Sequence, residues 1–167
     1  MLKLARLDAR TIALVIAVIA FLTIGGAFIA QYLGYAPCEL CLKQRFAYYG
    51  GLPLALAAAI AAGANARATR FLLAIIAAVF AANAALAFYH SGVEFKWWPG
   101  PADCTGAYQG AASMSDFMKQ LNNTRVVRCD EVSLRIFGFS LANANIFISA
   151  ALAFLAALGA RNAVKKA

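Results

Sequence analysis

The chain has 167 residues, 63% of them hydrophobic, and a formal net charge of +8. A soluble domain is about 45–50% apolar, and a chain this short has one core to fill, so the apolar excess excludes an ordinary water-soluble globule and points to lipid. Four stretches, 11–38, 46–66, 71–93 and 136–160, contain no Asp, Glu, Lys or Arg. Each exceeds the roughly 20 residues a helix needs to cross the hydrocarbon core, and their apolar residues run continuously, unlike the alternating strands of a membrane barrel.

In chain order, residues 1–10 form a basic leader with Lys3, Arg6 and Arg10, and a first span covers 12–33. That apolar run is longer than the roughly 7–15 residues of a cleaved signal, so it is expected to remain as a helix. A short loop, 34–41, leads to a second span over 42–62, in which Pro53 is a candidate kink. Gly63 and Asn65 break the chain before a third span over 71–89. A long loop over 91–135 follows, then a fourth span over 136–158 and a basic tail.

Within the long loop, SMSDFMKQLN (113–122) puts Met114, Phe117, Met118 and Leu121 on one helical face. Ser113 with Asp116 resembles a capping box. Such a helix lies either on the membrane surface or against the rest of its loop. Trp97 and Trp98 fall just past the third span, where interfacial anchors belong. The expected fold is therefore an all-α membrane protein of one domain, 1–167: a four-transmembrane-helix bundle with a short first and a long second outside loop.

Four spans put both termini on one side. That side collects Lys3, Arg6, Arg10, Arg67, Arg70, Arg161, Lys165 and Lys166 against Asp8 alone, whereas the other has seven basic residues against six acidic ones. Short basic segments mark the cytoplasmic side. The charge thus reads as a topology signal, and nucleic-acid binding is excluded because no folded basic domain exists to carry it. All four cysteines, Cys38, Cys41, Cys104 and Cys129, then face the extracytoplasmic side, where disulfides persist.

Cys38 and Cys41 form a C-x-x-C at the start of the second span, preceded by Pro37, a residue that favours the first helical position. Cysteines three apart share a helix face, and the partial positive charge of a helix N-terminus favours the thiolate that performs disulfide exchange. Arg45 follows Cys41 by four residues, on the same face and one turn deeper. It either snorkels to the boundary or stabilises a thiolate or an anionic oxygen of a bound acceptor. Cys104 and Cys129 read either as a structural staple, worth roughly 3 kcal/mol for a loop of that size, or as a second redox pair. The cysteine spacing lacks the second close pair of common zinc sites, so no metal is expected. His90, at the outer end of the third span, is either a packing residue or a ligand to an acceptor.

With these features in place, the chain resembles the DsbB family of membrane quinone reductases, which reoxidise the periplasmic disulfide donor DsbA. The segments that carry the resemblance are PCELCLKQR (37–45), YHSGVEFKWWPGPADCTG (89–106), and RCDE and GFSL within 128–141. Leu134 stands where relatives often have an aromatic residue. The resemblance implies that Cys38 and Cys41 are the quinone-proximal pair, with Cys41 the thiolate that contacts quinone. It implies that Arg45 and, more distantly, His90 line the quinone site. Cys104 and Cys129 would be the distal pair: Cys104 would be attacked by the DsbA-like thiol oxidase, and Cys129 would pass electrons on through Cys38. The implied cofactor is a quinone, ubiquinone or menaquinone, drawn from the membrane pool, and the implied location is the bacterial inner membrane with cytoplasmic termini.

Three other readings are weighed against this one. A vitamin-K-epoxide-reductase-like enzyme places its C-x-x-C late in the chain. A non-catalytic membrane protein with structural disulfides would tolerate loss of Arg45. A transporter would carry charged residues deep inside its spans, whereas here the charges within span bounds, Lys43 and Arg45, sit at the mouth of the second.

Overall fold

Asp8 starts the first helix: its carboxylate accepts the backbone N–H of Thr11 at 3.2 Å, satisfying one of the donors a helix N-terminus leaves open. In the computed structural model, which describes residues 7–101, 113–115, 118, 129–130, 135–136 and 138–164, that helix (α1) runs Ala9–Tyr32. The backbone N–H groups of Leu33 and Tyr35 close its last turn on Ile29 and Ala30, and Gly34 takes φ +96°, a conformation glycine adopts freely.

The second helix (α2) is Glu39–Ala61 and the third (α3) is Ala66–Glu94, the latter capped by Asn65 Oδ1 accepting the N–H of Ala68 at 3.0 Å. The last helix (α4) is Leu141–Val164. The helices alternate in direction and form a closed ring, in which α3 packs most extensively on α4, and α1 bridges α2 and α4. At one end Asn162 Nδ2 donates to the Leu7 carbonyl, joining the end of α4 to the start of α1. At the other end Ser91 of α3 donates to Asn143 Oδ1 of α4.

Small and branched residues interlock along the ring axis. Ile12, Ala13 and Ile16 of α1 meet Ala55 and Ala58 of α2, Leu73, Ile76 and Phe80 of α3, and Leu152 and Ala156 of α4, all buried. Large apolar side chains such as Phe21, Ile29, Ile60, Phe71, Phe147 and Phe154 point outward instead. This inside-out surface suits hydrocarbon, where helix association depends on close packing and not on expelling water. Helices α1, α3 and α4 are long and apolar enough to cross a membrane. The first turns of α2 carry Glu39, Lys43, Gln44 and Arg45, which lowers its apolar content at the end where the cysteines lie.

The structure differs from the sequence expectation at the fourth span. The apolar run from Ile136 reads as continuous helix, but α4 begins only at Leu141. Residues Arg135–Ile136 (β1) pair antiparallel with Phe139–Ser140 (β2) in a minimal hairpin. Gly138, at φ +86°, turns the chain where a helix would have to continue. Ser140 then caps α4, its Oγ accepting the N–H of Asn143 at 3.1 Å. α3 is longer than expected at both ends, so His90 sits inside it with a further turn beyond. Of the proposed loop helix over 113–122, Met114, Ser115 and Met118 are helical, and the other positions lie outside the described residues or, for Ser113, form a bend.

Beyond that extra turn, Trp98 folds back: its Nε1 donates to the Tyr89 carbonyl at 2.9 Å, and its ring stacks on Tyr89 with a 5° interplanar angle. The indole lies directly over Gly92, where an added Cβ would meet Trp98 Cζ2 at 2.1 Å. Gly92→Ala is expected to unseat the indole at a cost of about 1–3 kcal/mol. A lower unfolding midpoint in detergent together with a changed tryptophan emission spectrum checks this; unaltered stability would contradict it.

Candidate redox site

The pair of thiols is held by the start of α2. Cys38 is the N-cap residue of that helix, with extended backbone (φ −78°, ψ 171°), and its own sulfur takes the capping role by accepting the N–H of Cys41 at 3.3 Å. One helical turn brings the two sulfurs to 3.1 Å, and both are free thiols. A disulfide needs a sulfur separation of about 2.05 Å, so a movement of about 1 Å closes it.

Cys38 is buried, and His90 approaches it from α3 with Nε2 3.5 Å from Sγ. The thiol hydrogen bond with Cys41, the contact with His90 and the Cys41 backbone N–H together bring the Cys38 thiol down to about 4, against the opposing effect of burial. Cys41, half-buried in the first turn of α2, is the sulfur partner in that hydrogen bond. These contacts favour the thiolate at Cys38.

Behind His90 runs a line of buried polar side chains. Gln44 Nε2 faces His90 Nδ1 at 3.0 Å, and Gln44 Oε1 accepts from Asn145 Nδ2 at 2.6 Å. Asn145 Oδ1 accepts from the Tyr48 hydroxyl and from Ser149 Oγ, and Ser149 accepts from Asn83 Nδ2 at 2.9 Å. In this orientation Gln44 donates to Nδ1, which places the imidazole proton on Nε2, directed at Cys38. On the far side of the imidazole, Glu94 Oε1 is 3.9 Å from Nε2, and the other carboxylate oxygen accepts from Ser140 Oγ.

A cavity of about 350 Å³ opens in front of the thiols, between α1 and α4. Leu22, Ile24 and Ile148 provide apolar walls, while Cys38, Cys41, Gln44, Arg45, His90 and Glu94 supply polar groups. Its size lies within the about 300–1,000 Å³ of small-molecule sites. Arg45 is buried at this cavity, turned toward α1: Nη1 donates to Gln31 Oε1 at 2.7 Å, Nη2 to the Ala27 carbonyl at 3.4 Å, and the guanidinium stacks over Phe28. Among the described residues no carboxylate pairs with it.

Cys129 is disulfide-bonded and buried, in one packed cluster with Cys38, Leu40 and Val93. Cys104 lies outside the described residues. The structure thus brings Cys38, Cys41, Arg45 and His90 to one cavity, and Cys129 to the cluster behind it. Sequence reading missed Gln44, Asn145, Ser149 and Glu94. Polar residues inside nearly apolar spans were the available signal, since such groups are buried in membranes only with partners.

A helical membrane bundle with a C-x-x-C at a helix N-terminus, a second cysteine pair member packed beside it and an acceptor-sized cavity defines a membrane thiol–disulfide oxidoreductase. The chain belongs to the disulfide bond formation protein DsbB family, whose model matches residues 9–159. It is also similar to the uncharacterized protein RP370 of Rickettsia prowazekii (strain Madrid E), at 26% identity over 146 residues, covering 86% of this chain and 83% of the relative. No solved structure matches the chain.

The depressed Cys38 thiol dictates a pH profile. A thiol with a lowered pKa stays ionised until the pH falls to that value, so in reduced, chelator-treated protein Cys38 alkylation is expected to be nearly constant from about pH 8 to pH 6 and to decline only near pH 4. His90→Ala should move the inflection upward. A rate that instead climbs steadily with pH through neutrality, as for an ordinary thiol near 8.5, would overturn the assignment of charge to Cys38.

Proposed function

We propose that this protein is a thiol:quinone oxidoreductase that reoxidises a periplasmic DsbA-like dithiol, so supporting disulfide bond formation. The observation that carries the reading is the burial of Cys129, itself in a disulfide, in one cluster with the free thiol Cys38. A disulfide cysteine packed beside a free C-x-x-C pair and a cavity suits a route for two electrons, which a structural staple does not require. In this reading α2 is the fourth membrane span, the termini are cytoplasmic, and both cysteine loops face the periplasm of a bacterial inner membrane.

Cys104, the remaining cysteine, would close the disulfide with Cys129. A thiolate of the partner attacks Cys104, forming a mixed disulfide and releasing Cys129 as a thiolate. Cys129 attacks Cys38 of the oxidised proximal pair, and Cys41 leaves with the negative charge. The second partner thiol then releases oxidised partner from Cys104. Cys104 next attacks Cys129, restoring the distal disulfide and leaving Cys38 and Cys41 reduced. Charge thus rests on Cys41 while Cys38 is bonded, and on Cys38 once the pair is reduced, which accommodates a role for Cys41 nearest the acceptor.

The residues around the cavity fit a quinone, ubiquinone or menaquinone. Apolar walls between α1 and α4 suit a ring and tail entering from lipid, and Arg45 offers cationic donors for a carbonyl oxygen. When bound, a quinone accepts two electrons and two protons from the pair. Energetics favour it: DsbA is oxidising, near −120 mV, and each ~30 mV of further drop is worth about 1.4 kcal/mol for two electrons. A nicotinamide acceptor is too reducing.

Purified protein supplied with quinone is expected to oxidise a reduced DsbA-like substrate. Cys41→Ser should abolish turnover, and Arg45→Ala should raise the quinone KM by roughly tenfold, the loss of one charge-assisted hydrogen bond of about 1.5 kcal/mol. Parental rates in both variants would sink the proposal.

A further inference from the structure

We propose that the reduced pair, together with His90, forms a redox-gated site for a thiophilic divalent cation such as Zn²⁺. The donor atoms of Cys38, Cys41 and His90 all lie within 4.8 Å of one another. In a tetrahedral zinc site, bonds of about 2.3 Å to sulfur and 2.0–2.1 Å to nitrogen set edges of about 3.8 Å between sulfurs and about 3.5 Å between sulfur and nitrogen. The Cys38–His90 separation already matches, at 3.5 Å. The sulfurs, at 3.1 Å, need to open by about 0.7 Å, within reach of a small rotation of Cys41 at the start of its helix.

Charge and softness favour the same occupant. Two thiolates side by side in a buried site repel each other, and a divalent cation bound to both makes the set neutral. Thiolate and imidazole ligands select zinc-like ions over magnesium or calcium. The three ligands all line the cavity, so the fourth vertex faces open space. Glu94, on the same wall with Oε1 3.9 Å from His90 Nε2, can take that vertex after a small movement or accept a hydrogen bond from a metal-bound water.

His90 also has the support a metal ligand requires on its other nitrogen. Metal at Nε2 moves the imidazole proton to Nδ1, which then needs an acceptor. Rotation of the Gln44 amide supplies Oε1, and matching rotation of Asn145 preserves the bond between the two amides, because each group offers both a donor and an acceptor.

Binding is balanced as follows: the Cys38 thiolate and Cys41 thiol take up M²⁺ and release one proton. Oxidation of the pair by the quinone of the proposed function passes two electrons from the sulfurs to that acceptor, joins Cys38 to Cys41 in a disulfide and so removes both thiolate ligands, which expels the ion. Metal and oxidation therefore compete for the same sulfurs, and a bound ion holds the pair reduced. Sequence spacing conceals the site because His90 is 52 residues from Cys38. The site stands on the thiols and imidazole alone and is independent of the acceptor's identity.

The test is cobalt titration of untagged, full-length protein, with Cys104→Ser/Cys129→Ser removing the other thiols. The reduced protein is expected to bind about one Co²⁺, with thiolate-to-cobalt charge-transfer absorption and the ligand-field bands of a tetrahedral ion, and Zn²⁺ should displace it. Oxidised protein should show no such bands, His90→Ala should lose the tetrahedral signature, and Gln44→Leu should weaken binding by about tenfold or more. If the double variant does not fold, the difference between wild-type and His90→Ala protein, both reduced, reads the same site. Absence of the bands in reduced protein, equal binding by the oxidised form, or an unchanged His90→Ala spectrum would each overturn the proposal.

Discussion

The site depends on a helix capped by a sulfur. A helix N-terminus leaves backbone donors unsatisfied, and an Asp, Asn or Ser normally meets them, as Asp8 and Asn65 do for α1 and α3. At α2 the cap is Cys38, and its acceptor is the reactive atom itself. Stabilising the helix and stabilising the thiolate are therefore one interaction. When Cys38 enters a disulfide, the charged acceptor is lost and the first turn of α2 is held less firmly, so the redox state of the pair is felt directly by the backbone that positions it.

Burial then makes the polar surroundings of this sulfur exacting. Asn83, Ser149, Asn145, Tyr48 and Gln44 sit among apolar helices where unpaired polar groups are costly, and each is hydrogen-bonded; no buried side-chain N or O atom among the described residues lacks a partner. The line crosses from α3 through α4 to α2 before returning to His90 on α3. It fixes the relative rotation of three helices and the orientation of one imidazole with the same bonds. Arg45 of α2 is the counterpart toward α1: its guanidinium ties α2 to Gln31 and Ala27 while remaining at the cavity wall.

How much of this was legible beforehand follows from the kind of signal each element carries. Long charge-free runs reveal helices, and α1 and α2 end near Gly34 and Gly63 as expected, while each of α1 to α3 starts a few residues before its expected span. The start of α4 was hidden because Ile136 to Leu141 is as apolar as the helix after it; only the left-handed Gly138 and the capping Ser140 reveal the turn. The C-x-x-C, Arg45 and His90 could be placed at one end by counting along spans. That His90 touches Cys38, and that Gln44 rather than Arg45 stands behind it, depends on how helices are rotated against each other, which a single chain's periodicity does not state when every face is apolar.

Ser140 has a further consequence for the connection between α3 and α4. Its one hydroxyl caps α4 and also holds Glu94 at the end of α3, and Ser91 and Asn143 join the same two helices a little deeper. The connection between the two helices thus leaves and re-enters the bundle at this clasp. The ends of α3 and α4 are therefore held to each other by their own side chains, and their register does not depend on the length of chain that joins them.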